Sequence, residues 1–356
     1  MKKIFYSILI FLLILLNFST VCADDVDNEV DFEDTIEVTA SNVSELPKTN
    51  SRRYIVYDRI SKSMIIGKNE DVKSAMASTT KIMTSIVILE KADLGEMVTV
   101  SAKAGGTGGS RLGLKRGDKA SVRDLLYGLM LRSGNDAAVA LAEHVGGSVK
   151  EFAELMNEKA SELGLTNTHF VTPHGLDDAN HYTTALELAK LTDYAMDNET
   201  FAKIVGTKST TIYINNQSRQ INNTNELLGV LNGVVGVKTG FTNNAGRCLV
   251  TETKRNNMDI ITIVLGADTK KDRTKDSVNL IEYTFSKYKM YNVEEQRIEE
   301  FNKWKNINEK RILITKGKQS NPKLALGAIE KAIIPICDDD KIEYSINVLT
   351  EVEAPV

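Results

Sequence analysis

Apolar positions along the chain fall into runs with helical spacing and runs without it, and their alternation sets the outline of the fold. Tyr54-Ile-Val-Tyr-Asp58 and Met64-Ile-Ile66 read as paired strands. From Ser78 onward Ile82, Met83, Ile86 and Leu89 recur at intervals of three and four, which predicts a helix. Ser121 and Asp124 form a start resembling a capping box before Leu125, Leu126, Leu129 and Met130. Ser148 with Glu151 repeats that signature before Phe152, Leu155, Met156 and Leu163, and Gly164 stops the helix. Thr184 with Glu187 marks a further start. Ile260-Ile-Thr-Ile-Val-Leu265 reads as a buried strand, and Val278, Ile281, Phe285 and Tyr288 make one more amphipathic helix. Beyond about residue 290 the pattern changes, and Arg311-Ile-Leu-Ile-Thr315 and Ile342-Glu-Tyr-Ser-Ile-Asn-Val348 read as strands. These elements predict a mixed α/β domain over residues 51–287 and a β-rich tail domain over 288–356, with no internal repeat.

The N-terminus stands apart. Lys2 and Lys3 precede an almost wholly apolar stretch from Ile4 to Leu16, and Val21-Cys22-Ala23 offers a small-residue cleavage site. That is the form of a secretory signal peptide over residues 1–23, so the protein is expected to be exported and extracytoplasmic. An uncleaved anchor is the alternative, against which stands the short apolar core. Lipid attachment at Cys22 is disfavoured by the bulk of Val21. Residues 24–50 carry eight acidic side chains from Asp24 to Glu37 and no base before Lys48, which reads as a solvated linker.

Composition narrows the class. The chain has 356 residues, 42% of them hydrophobic and 26% charged, the profile of a folded globular protein. Five prolines and three cysteines exclude a collagen-like chain and a disulfide-stapled miniprotein. A net charge of −4 leaves no basic excess for nucleic acid. After cleavage Cys248 and Cys337 remain; export would permit a disulfide, but the two fall in different predicted domains.

Three short motifs carry the candidate chemistry. In Ser78-Thr-Thr-Lys81 a spacing of three puts both side chains on one helix face, where a lysine of lowered pKa can take the serine proton. The same pattern at Ser286 to Lys289 and Ser320 to Lys323 does not open an apolar-periodic helix after small residues, as Ser78 does. Ser133-Gly134-Asn135 sets a hydroxyl and an amide in a turn between two helical runs; a plain helix-connecting turn would read the same. Lys238-Thr239-Gly240, after the strand-like Gly233-Val-Val-Gly-Val237, offers a cation and a hydroxyl beside a glycine that lets a ligand backbone approach. A turn after an edge strand is the bland alternative. His169, His174 and His181 lie close in sequence, but their spacing fits no helical zinc pattern, and no metal site is expected. The charged run Thr269-Lys-Lys-Asp-Arg273 reads as a solvated loop, Arg273 excepted.

Taken together, in this order, the three motifs resemble the active-site set of the penicillin-binding proteins and serine β-lactamases, and specifically the low-molecular-mass D-alanyl-D-alanine carboxypeptidases. Supporting text includes Gly109-Ser-Arg-Leu112, Ala140-Leu-Ala-Glu-His144, Thr172-Pro-His-Gly-Leu-Asp177 and Gly266-Ala-Asp268. The resemblance implies a central antiparallel sheet flanked by helices, an α/β (α+β) fold with a short β-rich C-terminal domain. It implies that Ser78 attacks the carbonyl between two terminal D-alanines of a peptidoglycan stem peptide and that Lys81 is the base. Ser133 would pass a proton to the leaving amine, and Asn135 would hold the substrate amide and orient Lys81. Lys238 and Thr239, beside Gly240 and supported by Arg273, would bind the terminal carboxylate. The backbone N–H groups of Ser78 and Phe241 would form the oxyanion hole. β-Lactams would be covalent inhibitors, and no metal or organic cofactor is implied. Where family members carry histidine, this chain has Phe241, a change expected to bear on substrate preference.

Other functions share parts of this set. A class A β-lactamase needs a Glu-x-x-Leu-Asn element, which is absent between Ser133 and Lys238. A D,D-endopeptidase uses the same residues, and a non-catalytic wall-binding protein would be expected to lose Ser78 or Lys81. Family tails run on into further strands and often an amphipathic anchoring helix; here the text stops at Glu353-Ala-Pro-Val356, so the expected tail domain is short and incomplete or completed by a partner. Membrane contact would then come only from an uncleaved N-terminus.

Overall fold

The computed structural model describes residues 46–291 and 312–314, and within them the apolar runs become the middle of a five-stranded sheet. The segment 1–23, most of the linker, and the strand expected at 342–348 lie outside the described residues. In chain order the first half contains β1 (Arg53–Asp58), β2 (Ser63–Lys68), α1 (Lys81–Lys91), β3 (Met97–Thr99), α2 (Ala102–Gly105), β4 (Lys119–Ser121), α3 (Val122–Leu131), α4 (Asn135–Gly146) and α5 (Val149–Glu162). Then follow α6 (Ala185–Met196), α7 (Glu199–Val205), β5 (Ser209–Ile214), β6 (Gln217–Asn222), β7 (Val234–Thr242), β8 (Gly246–Arg255), β9 (Met258–Ala267), α8 (Lys270–Lys287), β10 (Lys289–Tyr291) and β11 (Ile312–Ile314).

The sheet runs β2-β1-β9-β8-β7, antiparallel throughout, so chain-terminal strands meet in its centre and β7 is left at an edge. The run Ile260–Leu265 shows no polar alternation because both faces of β9 are buried. Ile261, Ile263 and Leu265 join Ile55 and Tyr57 against the helical body, while Ile260 and Val264 join Tyr54, Val56, Leu280 and Ile281 under α8. Helix α1 is buried from Lys81 to Ile88, the central rod of the helical body. The expected starts hold: Ser121, Ser148 and Thr184 each accept a hydrogen bond from the backbone N–H three residues on, at 3.0, 3.1 and 3.1 Å.

One expectation is overturned. Thr269-Lys-Lys-Asp-Arg273 is not a loop but the start of α8, with Thr269 as its N-cap accepting from the Asp272 N–H at 3.0 Å. Only the apolar stripe further on shows helical spacing, so the charged first turn is silent to periodicity. In the tail, Ile312–Ile314 falls within the strand expected at 311–315 and pairs with Lys289–Tyr291.

A buried charge cluster closes the far end of the sheet. Arg59, just past β1, contacts Asp193 at 3.0 Å, Glu252 at 2.6 Å, Asp259 at 3.1 Å and Asp197 at 2.5 Å, while Lys62 reaches Asp193 and Lys254 reaches Glu252 and Asp259. Burial of Glu252, with Asp259 beside it, outweighs Arg59 and pushes its carboxyl up to about 7. Between its unfolded value and about 7 the folded protein therefore holds a proton that the unfolded chain has released. This site makes stability fall as pH rises through that window. Glu252→Gln is expected to remove that slope: relative to wild type its Tm should be higher by roughly a few degrees at pH 8 and the gain should vanish at pH 5. Thermal melts of the two proteins across that range check it, and a constant difference would refute the assignment.

Candidate active site

Ser78 sits on a tight turn. Ala77–Thr80 form one turn of 3₁₀ helix ahead of α1, entered through Ala77 at φ +48°. A non-glycine residue in that region is strained and needs fixing from outside. The Thr80 hydroxyl donates to the Ala77 carbonyl at 2.8 Å, and the Thr79 hydroxyl donates to the Met76 carbonyl at 2.6 Å. Gly175, at φ +86°, packs its Cα so closely on the Ala77 carbonyl that an added Cβ would lie 1.9 Å from the oxygen. Ser78 and Lys81 follow, separated by one helical turn and both buried.

Lys81 Nζ donates to Ser78 Oγ at 2.6 Å, to Asn135 Oδ1 at 2.8 Å and to the His174 carbonyl at 2.9 Å. Three acceptors match the three hydrogens of an ammonium group. On losing one proton the amine would keep two of these bonds and turn a lone pair to Ser78 Oγ, within reach for general-base catalysis.

Ser133, Gly134 and Asn135 form the turn between α3 and α4, with Ser133 at φ +55° and buried. Asn135 opens α4 and does not cap it; its amide is oriented by donating from Nδ2 to the Gly108 carbonyl at 2.8 Å, which turns Oδ1 towards Lys81. The next residue is Asp136. Its buried carboxylate accepts from the N–H groups of Leu112, Gly113 and Leu114 at 2.8, 2.7 and 2.8 Å and so pins the segment 112–114 to the turn. An acid in the first turn of an alanine-rich helix is the only signal the sequence carried for it.

Strand β7 brings the third motif. Gly240 backs onto the turn that carries Ser78: a Cβ there would lie 3.0 Å from the Ser78 nitrogen, so the backbones of β7 and Ser78 lie in close contact. Lys238 is buried, with Nζ donating to the Thr239 carbonyl at 2.8 Å. The Thr239 hydroxyl bonds that of Thr224 at 2.8 Å. Arg273, fully buried in the first turn of α8, forms an ion pair with Glu226, which also accepts from Thr274 at 2.6 Å. Burial raises the Glu226 carboxyl, but Arg273 and Thr274 outweigh it and leave it below the usual range. The short segment from Thr224 to Glu226 thus links Thr239 to Arg273, a bridge that the sequence did not suggest. Phe241 is half-buried and lies under the Arg247 guanidinium, whose carbon is 3.9 Å from the ring centroid.

The three histidines make contacts within the protein. His169 Nδ1 lies 2.6 Å from the Asn180 carbonyl. Burial, and then the charge of Lys81, lowers His174 to about 3. Burial lowers His181 to about 4. Cys248 is buried in β8, and Cys337 lies outside the described residues.

The structure therefore joins Ser78, Lys81 and Asn135 in one hydrogen-bonded cluster, sets Gly240 against it, and carries Ser133, Lys238, Thr239 and Phe241 on the elements around it. Arg273 reaches Thr239 by way of Glu226.

A family profile described as D-alanyl-D-alanine carboxypeptidase matches residues 39–269. The chain is 37% identical over 243 residues to the D-alanyl-D-alanine carboxypeptidase DacF of Bacillus subtilis, covering 67% of this chain and 62% of that protein. It is 35% identical over 298 residues to DacA of Haemophilus influenzae, covering 78% and 75%. Among solved structures, the DD-transpeptidase of a Streptomyces strain superposes with a TM-score of 0.64 at 34% identity over 68% of this chain and 99% of that one. The D-alanyl-D-alanine carboxypeptidase DacD of Francisella tularensis gives 0.65 at 31% identity, covering 70% and 73%.

Proposed function

We propose that this chain, which belongs to the D-alanyl-D-alanine carboxypeptidase family, is a serine peptidase that removes the terminal D-alanine from peptidoglycan stem peptides. The observation that carries the reading is the 2.6 Å bond between Lys81 Nζ and Ser78 Oγ, with Asn135 holding the amine from the other side at 2.8 Å. Neutral Lys81 takes the Ser78 proton as Oγ attacks the penultimate D-alanine carbonyl. The N–H groups of Ser78 and Phe241 receive the developing oxyanion. Ser133 relays the proton to the leaving amine, D-alanine departs, and water hydrolyses the ester on Ser78. Lys238 and Thr239 hold the terminal carboxylate, with Arg273 supporting Thr239 through Glu226 and Thr224.

No Glu-x-x-Leu-Asn element of the kind a class A β-lactamase uses to activate water lies between Ser133 and Lys238, and Lys81 faces the backbone carbonyl of His174. Penicillin should therefore acylate Ser78 and leave slowly, making β-lactams covalent inhibitors. The expected setting is outside the cytoplasmic membrane, where the substrate is; among the described residues no helix is long and apolar enough to cross a membrane. Incubating the mature protein with a peptide ending in D-Ala-D-Ala should release free D-alanine, and Ser78→Ala should release none. Cleavage of crosslinked muropeptides into single stems, with no D-alanine freed from the D-Ala-D-Ala peptide, would favour the endopeptidase reading, and no reaction with either would refute both.

A further inference from the structure

Behind the nucleophile turn lies a buried chain of hydrogen bonds for which the proposed mechanism has no use so far. His181 Nδ1 accepts from the Val171 N–H at 2.9 Å, so the imidazole proton sits on Nε2. Nε2 lies 2.7 Å from the Thr80 hydroxyl oxygen and donates to it. That hydroxyl then has its own proton to give, and gives it to the Ala77 carbonyl at 2.8 Å. His181 is almost fully buried and set edge-on to Phe170, with ring centroids 5.7 Å apart.

A threonine that bonds the carbonyl three residues back is ordinary at a helix start. Two features here are not. The hydroxyl is itself polarised by an imidazole donor. The carbonyl also belongs to the peptide whose N–H is that of Ser78, beside the β7 backbone at Gly240. In a planar trans peptide the C=O and N–H point in opposite directions. A donor on the Ala77 oxygen therefore strengthens the Ser78 N–H as a donor and fixes its aim, and bonds in such a chain reinforce one another.

Resting on the assignment of Ser78 as nucleophile, we propose that His181 and Thr80 are positioning residues for the oxyanion hole. They act through the Ala77–Ser78 peptide to polarise and orient the Ser78 N–H. Neither touches substrate. Their contribution should appear as charge develops on the acyl oxygen and not in substrate binding.

The test uses the mature full-length protein, acylated with benzylpenicillin and examined by infrared difference spectroscopy of the acyl carbonyl. Stronger hydrogen bonding in the hole lowers that stretch. Thr80→Val should shift the stretch to higher frequency and lower the acylation rate constant by about tenfold, less than the loss of a whole oxyanion donor. Its KM for a D-Ala-D-Ala peptide should change little. Thr80→Ser, which keeps the hydroxyl, should restore the wild-type stretch. His181→Leu should shift it in the same direction as Thr80→Val by a smaller amount, and carries the test should Thr80→Val not fold. An unchanged stretch and rate in a folded Thr80→Val or His181→Leu protein would overturn this inference alone. Failure of the wild type to acylate at Ser78 would overturn the proposed function and this inference with it.

Discussion

Lys81→Met is expected to slow acylation of Ser78 by about 10³-fold while leaving the protein folded. The substitution keeps the length and apolar stem of the side chain and removes the nitrogen that lies 2.6 Å from Ser78 Oγ. Two effects on stability oppose each other. The Asn135 amide oxygen and the His174 carbonyl each lose a buried donor, which costs about 1–3 kcal/mol apiece. A fully buried ammonium no longer has to be desolvated, which offsets much of that cost. The melting temperature should therefore move little while the rate collapses. Stopped-flow measurement of penicillin acylation together with a thermal melt separates the two; equal losses of stability and rate would make Lys81 a packing residue.

Gly175→Ala should be a severely damaging single-methyl change. A Cβ would lie 1.9 Å from the Ala77 carbonyl oxygen and 2.6 Å from Thr80 Oγ1, on a backbone at φ +86°. Neither neighbour can yield, because the same oxygen and hydroxyl hold the turn that carries Ser78. A destabilisation of about 3 kcal/mol is expected, lowering Tm by roughly 6–12 °C, and acylation should fall with it because the nucleophile turn must move. Calorimetry and the acylation rate check this. A variant that melts and reacts like the wild type would mean that Gly175 does not abut the turn.

Much of this molecule is legible in its sequence, and the remainder fails for identifiable reasons. Helices α1, α3, α5 and α6 announce themselves through apolar spacing and capping residues, because local chemistry suffices to start them. Strand β8 does not: Thr251, Glu252 and Thr253 read as surface text yet are fully buried. Glu252 is matched by Arg59, 193 residues away, and no local pattern encodes that pairing. The start of α8 has no apolar spacing in its charged first turn, but Thr269 and Asp272 repeat the start signature of Ser121 and Asp124. At the site, Ser78, Lys81 and Asn135 were found because reacting side chains have a motif. The parts that hold them were not. The carbonyl of His174 is backbone and would be there whatever the residue; Asp136 acts on three N–H groups more than twenty residues away. His181 reaches Thr80 across 101 positions of sequence, and its role emerges only once the fold brings them together.

As a lysine-activated nucleophile, Ser78 should form an ester with its substrate. Peptide mass spectrometry after incubation of the mature protein with benzylpenicillin tests it directly. One adduct carrying the whole penicillin mass is expected, confined to the peptide containing Ser78 and lost in Ser78→Ala. No adduct, or an adduct on any other residue, would contradict it.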